Sequence, residues 1–407
     1  MELDHPGDHL GADRRGHSLR ANADGRSSST GRIHCSGAHP AHPLERRHPP
    51  RCLMPVVRHH FRCLDCGAET AASLELACGE CGGLFEVAYP RLPEGGLRLP
   101  LTALPLGQGG TPTISFDWPD ARRLRLELKL EYLSPSGSFK DRGAATLISA
   151  AWSGGATAFV EDSSGNAGAS LAAYGAAAQM SAEIFVPADA PQSKQAQITA
   201  VGGRLHPIDG DREAVAAAAD QYAREQGIPY LSHNRSPYFS EGMKPAAEEI
   251  AEHGLPDAIV LPVGNGSLLI GLQRGFEELA QLGRIERMPR LYAIQAMNVS
   301  PLASAFRNHE SGEPTPTVAD GIAVSQPPRL AQMLAAVRES GGAAAVVSEA
   351  EIRSAWTTIA RRGLYVEPTS AVPLAALRRL VERGMLADDE RVLVPLTGSG
   401  LKSPPIR

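Results

Sequence analysis

Residues 259–268 read Ile-Val-Leu-Pro-Val-Gly-Asn-Gly-Ser-Leu. The run 259–263 is apolar without alternation, which predicts a strand buried on both faces. It passes straight into Gly264, Asn265, Gly266, Ser267 and Leu268, and then into a helix that continues to about Leu282. A strand that turns through glycines into a helix is the unit of a parallel α/β sheet. Two glycines at such a turn let successive backbone amides converge on an anion. No Gly-Lys-Ser/Thr follows, and G-x-G-x-x-G is absent. A single phosphate monoester therefore fits the turn better than a nucleotide.

The same alternation extends in both directions. Strands are predicted at 124–130, 158–160, 182–186, 204–208, 291–295 and 392–396. Helices are predicted at 166–179, 193–201, 213–226, 349–361 and 371–383. This is an α/β pattern with parallel sheets. The chain has 407 residues, enough for two or three domains. Its 43% hydrophobic and 21% charged residues exclude a wholly disordered chain. A net charge of −5 gives no overall basic field for nucleic acid. No apolar run is long enough for a membrane-spanning helix.

The amino-terminal region differs in kind. Residues 1–55 are rich in Gly, Pro, His, Arg and Ser and lack aliphatic periodicity. They read as a disordered leader, or as residues upstream of a true start at Met54. Residues 56–90 carry Cys63-x-x-Cys66, an eleven-residue gap and Cys78-x-x-Cys81. Two such pairs can supply four thiolates to one tetrahedral Zn²⁺, predicting a structural zinc ribbon. Gly67, Gly82 and Gly83 follow the second cysteine of each pair and permit tight turns. Metal-free thiols or a redox pair are the alternative. Asp65, Glu69, Glu75, Glu80 and Glu86 outnumber Arg58 and Arg62, so the unit is unsuited to nucleic-acid phosphate. All six cysteines lie in the first 81 residues, so the body is no disulfide scaffold, which fits a reducing compartment.

Three further segments sit at predicted strand ends. Residues 134–143 read SPSGSFKDRG. A lysine opening a helix meets the positive helix end, which lowers its pKa and favours the neutral amine a Schiff base needs. The plain alternative is a surface lysine paired with Asp141. Residues 163–170 read SSGNAGAS, a turn and helix start able to hold a carboxylate. Asn166 there offers both donor and acceptor, although an ordinary capped helix reads the same way. Thr397, in PLTGSGLK after the last strand, is a neutral donor or acceptor, and alone the segment is only a loop.

In this order and spacing, the four segments resemble the fold-type II pyridoxal-phosphate enzymes. With the ribbon, residues 56–407 resemble the threonine synthase family. The resemblance implies two parallel-sheet α/β subdomains around a cofactor cleft, similar to the tryptophan synthase β-subunit. The catalytic domain would span 91–407, with a small subdomain at about 143–240 inserted in the large one. Lys140 would form the internal aldimine. Asn166 would contact the cofactor 3-hydroxyl. Gly264, Asn265, Gly266, Ser267 and Leu268 would hold the cofactor phosphate, and Thr397 would meet the pyridine nitrogen. Ser163, Ser164, Gly165 and Ala167 would hold the substrate carboxylate. Glu367, in Glu-Pro-Thr-Ser-Ala, matches a family segment without an assigned role.

The implied activity is a cytoplasmic, homodimeric lyase that converts O-phospho-L-homoserine and water to L-threonine and phosphate. The family pattern S-G-N-T reads Ser164-Gly-Asn-Ala167 here, and N-P-Y-R-x-E-G-Q-K reads Ser236-Pro-Tyr-Phe-Ser-Glu-Gly-Met-Lys244. Ala167, Phe239 and Met243 thus replace polar residues, which weakens the grip on a doubly charged phosphate. Arg235, Lys194 or Lys244 are the residues that could compensate. A β-replacing or deaminating enzyme for serine, O-phosphoserine or threonine is the alternative, and a catalytically idle binding protein a third.

Overall fold

The structure is a computed structural model that describes residues 57–91, 97, 99–100, 104–190, 192–310 and 312–402. The leader expected at 1–55 lies outside the described residues.

The first element is a three-stranded antiparallel ribbon of β1 (His60–Cys63), β2 (Glu69–Ala71) and β3 (Phe85–Ala88), in the order β2-β1-β3. The ribbon is too small to bury a core of its own. Phe61, Phe85 and Val87 instead join the main hydrophobic core, and Phe61 meets Tyr238 edge-on at 5.2 Å. The Arg274 guanidinium adds an anchor, reaching Glu86 at 2.6 Å and the Val87 carbonyl at 2.6 Å.

The body begins with β4 (Thr113–Ser115), β5 (Arg125–Lys129) and α1 (Lys140–Ser153). Next come β6 (Ala158–Glu161), α2 (Asn166–Ala177), β7 (Ser181–Pro187), α3 (Gln192–Ala200), β8 (Arg204–Ile208) and α4 (Arg212–Gln226). The chain continues through α5 (Pro237–Glu241), α6 (Pro245–His253), β9 (Ala258–Pro262), α7 (Ser267–Gln281) and β10 (Arg290–Ala296). It closes with α8 (Pro301–Phe306), α9 (Leu330–Glu339), β11 (Ala344–Val347), α10 (Glu349–Arg361), α11 (Pro368–Glu382) and β12 (Arg391–Pro395).

Two sheets result. The larger has the order β11-β10-β9-β12-β5-β4 and is parallel except for the edge strand β4, which runs antiparallel to β5. The smaller is parallel, in the order β6-β7-β8. Both faces of the large sheet are covered, which is why its strands read as unbroken apolar runs. In β9, Ile259 and Leu261 enter one core and Ala258 and Val260 the other. The smaller sheet packs Val160 and Phe185 against Val215, Ala219 and Ala223 of α4. Among the described residues, no helix is long and apolar enough to cross a membrane.

Elements not expected from the sequence are the short or marginal ones: β4, β11, α5, α6, α8 and α9. Edge strands of three or four residues carry too little pattern to register. The helix expected at 371–383 begins earlier, at Pro368, because proline is well suited to the first helical turn.

Candidate active site

The carboxyl ends of parallel strands from both sheets face one cavity of about 1080 Å³. The four strand-end segments singled out in the sequence all contribute to its wall, including Lys140, Asn166, Gly264, Asn265, Gly266, Ser267, Leu268 and Thr397. Ser163, Ser164, Gly165 and Ala167 line it as well. Strand ends are where α/β sheets leave loops and helix amino-termini free to meet a ligand.

Lys140 is the first residue of α1. Its Nζ lies 4.7 Å from the centre of the Phe139 ring and 5.8 Å from that of Phe239. Burial lowers its pKa to about 8, aided by Arg212 and opposed by Glu367 and Glu161. Desolvation is the largest contribution, rather than the helix end expected from the sequence. The pairing of Lys140 with Asp141 is corrected. Asp141 is buried and accepts from the Ser136 amide at 2.7 Å and from the Ser170 hydroxyl at 2.5 Å. A carboxylate held in this way fixes the loop before α1 and leaves the lysine to the cavity.

The loop is tied to the last strand as well. The Phe139 amide donates to the Thr397 carbonyl at 3.0 Å, and Ser138 bridges to Gly398. Thr397 is buried, with its Oγ1 3.1 Å from Ser370 Oγ.

The glycine turn precedes α7. Gly266 adopts φ +79°, and a Cβ there would lie 2.1 Å from Met333 Sδ. A Cβ on Gly264 would lie 3.0 Å from Ile322 Cα. Space excludes a Cβ at Gly266, whose backbone conformation also favours glycine, and leaves little room for one at Gly264. The first amides of a helix have no partner within it. Ser267 Oγ and Asn265 Oδ1 are buried without a hydrogen-bond partner. Free donors and unsatisfied polar atoms around a side-chain-free turn fit a phosphate group. Gly266→Ala should destabilise the fold by about 1–3 kcal/mol through backbone strain. Equilibrium unfolding and titration with a phosphate-bearing cofactor would measure that cost and the accompanying loss of affinity.

Glu367, left without a role by the sequence, borders the cavity and accepts from Asn166 Nδ2 at 2.9 Å. Other groups were missed altogether. Asp162, Arg212 and His233 line the cavity, and Glu161 sits behind His233 with Oε1 2.5 Å from Nδ1. Burial, reinforced by Lys140 and Arg212, pushes the His233 imidazolium well down. Burial and neighbouring Asp162 push the Glu161 carboxyl well up. The only signal in the sequence was the acidic pair Glu161-Asp162, between the strand predicted at 158–160 and SSGN.

Two expectations about compensation change. Phe239 and Met243 are fully buried and lie outside the cavity wall, where a Cβ on Gly143 would meet Phe239 Cδ1 at 2.7 Å and Met243 Cε at 2.8 Å. They are packing residues between helices. Lys244 is fully buried, pairs with Glu241, and donates to Glu278 at 2.8 Å, so it cannot reach a ligand in the cavity. The Lys194 side chain lies outside the described residues, and Arg235 is not part of the wall.

The ribbon brings Cys63, Cys66, Cys78 and Cys81 together, with ligand atoms within 4.8 Å of one another. The Gly83 amide donates to Cys81 Sγ at 3.4 Å, and Gly67 and Gly82 adopt φ +73° and +76°. The Cys66 amide chiefly holds the Cys63 thiol down at about 7, whereas Cys66, although the Ala68 amide lowers it, is pushed up to about 12 by the neighbouring Cys81 and Cys63 sulfurs.

Comparison with known proteins agrees with this arrangement. Residues 104–398 match the family described as pyridoxal-phosphate dependent enzyme. A threonine synthase of Methanosarcina acetivorans is 34% identical over 380 residues, covering 85% of this chain and 93% of that protein. One from Methanocaldococcus jannaschii is 32% identical, covering 84% and 93%. Among solved structures, O-ureido-L-serine synthase superposes with a TM-score of 0.63 at 21% identity, covering 72% of this chain and 90% of that one, and supports the fold alone. The chain is a pyridoxal-phosphate-dependent lyase of the fold-type II class, and it belongs to the threonine synthase family.

Proposed function

We propose that the protein converts O-phospho-L-homoserine and water to L-threonine and phosphate. The observation that carries this reading is the meeting, in one cavity, of a half-desolvated lysine and an anion-accepting glycine turn. Lys140 would hold the cofactor through its amine. Gly264, Asn265, Gly266, Ser267 and Leu268 would hold its phosphate, Asn166 its 3-hydroxyl, and Thr397 its ring nitrogen. Ser163, Ser164, Gly165 and Ala167 would take the substrate carboxylate at the start of α2. The bound cofactor supplies an electron sink that weakens the substrate Cα–H bond. Lys140, freed by substrate, moves that proton. Closure of the small subdomain, taken as residues 143–240, on the rest of the catalytic domain at 91–407 would exclude water. The same reading includes a homodimer in the cytoplasm.

The test is turnover of O-phosphohomoserine, O-phosphoserine, threonine and serine by the holoenzyme, with detection of phosphate, threonine and 2-oxo acids. Phosphate and threonine from the first substrate are expected. If neither phosphorylated substrate turns over, the reading fails. Pyruvate or 2-oxobutyrate would favour the deaminating alternative, for which the replacement of a polar residue by Ala167 speaks.

The four ribbon cysteines suit one structural Zn²⁺ at residues 56–90. Metal analysis should find about one Zn²⁺ per chain, and none in a Cys63→Ala, Cys66→Ala double variant. A metal-free wild type would remove the zinc assignment.

A further inference from the structure

Making threonine from O-phosphohomoserine needs more proton traffic than an amine at Cα supplies. The substrate side chain is CH₂–CH₂–O–phosphate, and that of the product is CH(OH)–CH₃. Cβ loses a hydrogen and gains hydroxyl, while Cγ loses phosphate and gains a hydrogen. Two protons come off, from Cβ and from water. One goes to Cγ and the other leaves with phosphate.

The cavity holds a second pair of groups suited to this work. His233 lines the wall, and its Nδ1 lies 2.5 Å from Glu161 Oε1. Its Nε2 lies 3.4 Å from the Asn265 side-chain nitrogen Nδ2, in the glycine turn of the other sheet. Both members of the pair are buried. Phe239 packs edge-on against the imidazole at 5.8 Å, which fixes the ring plane. Glu161 Oε2 is buried without a hydrogen-bond partner, an arrangement that is costly unless the group has work to do. Burial lowers the imidazolium and raises the carboxyl, so the two shifts bring their proton affinities toward each other across the 2.5 Å contact.

We propose that His233, positioned by Glu161, is a further catalytic residue that carries protons at Cβ and Cγ of the substrate, leaving Lys140 to act at Cα. This rests on the threonine-forming reading. The Cβ–H bond breaks and its proton bonds to Nε2. Its electron pair becomes a Cβ–Cγ double bond as the Cγ–O pair leaves on phosphate. Water oxygen then bonds to Cβ, and Cγ takes the proton back from Nε2. The proton released by water leaves with phosphate.

The test uses holoenzyme in D₂O with L-2-aminobutyrate, which has the same carbon chain and no leaving group. Proton NMR reads exchange at Cα and Cβ separately. Wild type should exchange both. His233→Gln should slow Cβ exchange by about 100-fold or more while Cα exchange stays within about threefold, with the cofactor absorbance band retained. Glu161→Gln, which keeps the shape, should fall between the two. A second readout needs no turnover: a proton held in the contact between His233 and Glu161 should give a far-downfield resonance in the apoprotein that disappears in both variants. The proposal is overturned if wild type exchanges Cα alone, if His233→Gln slows both positions equally or neither, or if wild type lacks the resonance. Failure of O-phosphohomoserine to release phosphate, with the exchange split as described, would overturn the substrate reading alone.

Discussion

Lys140→Ala is expected to abolish the absorbance band of the protein-bound cofactor and to cut turnover by about 10³-fold or more. Among the lysines whose side chains are described, Lys129 and Lys244 are committed to carboxylates. Lys402 also borders the cavity, but its Nζ donates to the Ser136 carbonyl at 2.8 Å. The pH dependence should carry the same signature. An amine whose pKa is lowered to about 8 is mostly protonated, and so unreactive, below that value. Capture of pyridoxal phosphate by the wild-type apoprotein should therefore accelerate as pH rises through about 8 and then level off. Stopped-flow absorbance would follow it. A capture rate that keeps rising to pH 10, as for an ordinary solvent-exposed lysine, would contradict the desolvated site. Persistence of the band in the alanine variant would show that another amine holds the cofactor.

Arg142→Met is expected to destabilise the fold by about 3–5 kcal/mol. Arg142 sits two residues after the lysine and is buried. Its Nε and Nη2 each reach Glu131 at 2.8 Å, and its Nη1 and Nη2 reach Glu249 at 2.7 and 2.8 Å. Removing it leaves the two carboxylates with Lys129, whose Nζ is 2.8 Å from Glu249 and 4.0 Å from Glu131, and with the Thr111 hydroxyl, which donates to Glu131 at 2.8 Å. Arg142→Lys keeps the charge but loses the planar fork, so it should lie between. Denaturant unfolding would rank the three proteins, and equal midpoints would contradict the account. The network also sets an acid limit. The Arg142 guanidinium, against the opposing effect of burial, holds Glu249 down at about 2. Its stabilisation is present above the ordinary carboxylate range and is lost as pH falls toward about 2.

Much of the site was legible because the chemistry is local. SGSFKDRG, SSGNAGAS, VGNGSL and PLTGSG each place small residues and one reactive group directly after a strand. Short-range rules cover strand ends and helix starts. The cysteine spacing likewise needed no tertiary knowledge. Glu161 and His233 lie 72 positions apart, and neither belongs to a patterned segment. Their partnership follows from Tyr230 bridging beside Val160, which brings the loop before His233 onto the end of β6. The packing of Phe239 and Met243 was not legible in the sequence for the converse reason. They lie in a family segment, but the contacts that decide their role are with Gly143 and, for Met243, Gly271, on helices far away in the chain.

The sequence by itself determined an α/β body with parallel strands, a four-cysteine ribbon, and the identity of the lysine and the glycine turn. Those features rest on patterns within a few residues, where backbone conformation and hydrophobic period act directly. Only the tertiary structure decided which cavity groups face one another, that Asp141 turns away from Lys140, and that Lys244 is committed to buried carboxylates. Such pairings depend on burial and on distances across the fold, and the electrostatics of a buried group is set by neighbours that the order of residues along the chain does not name.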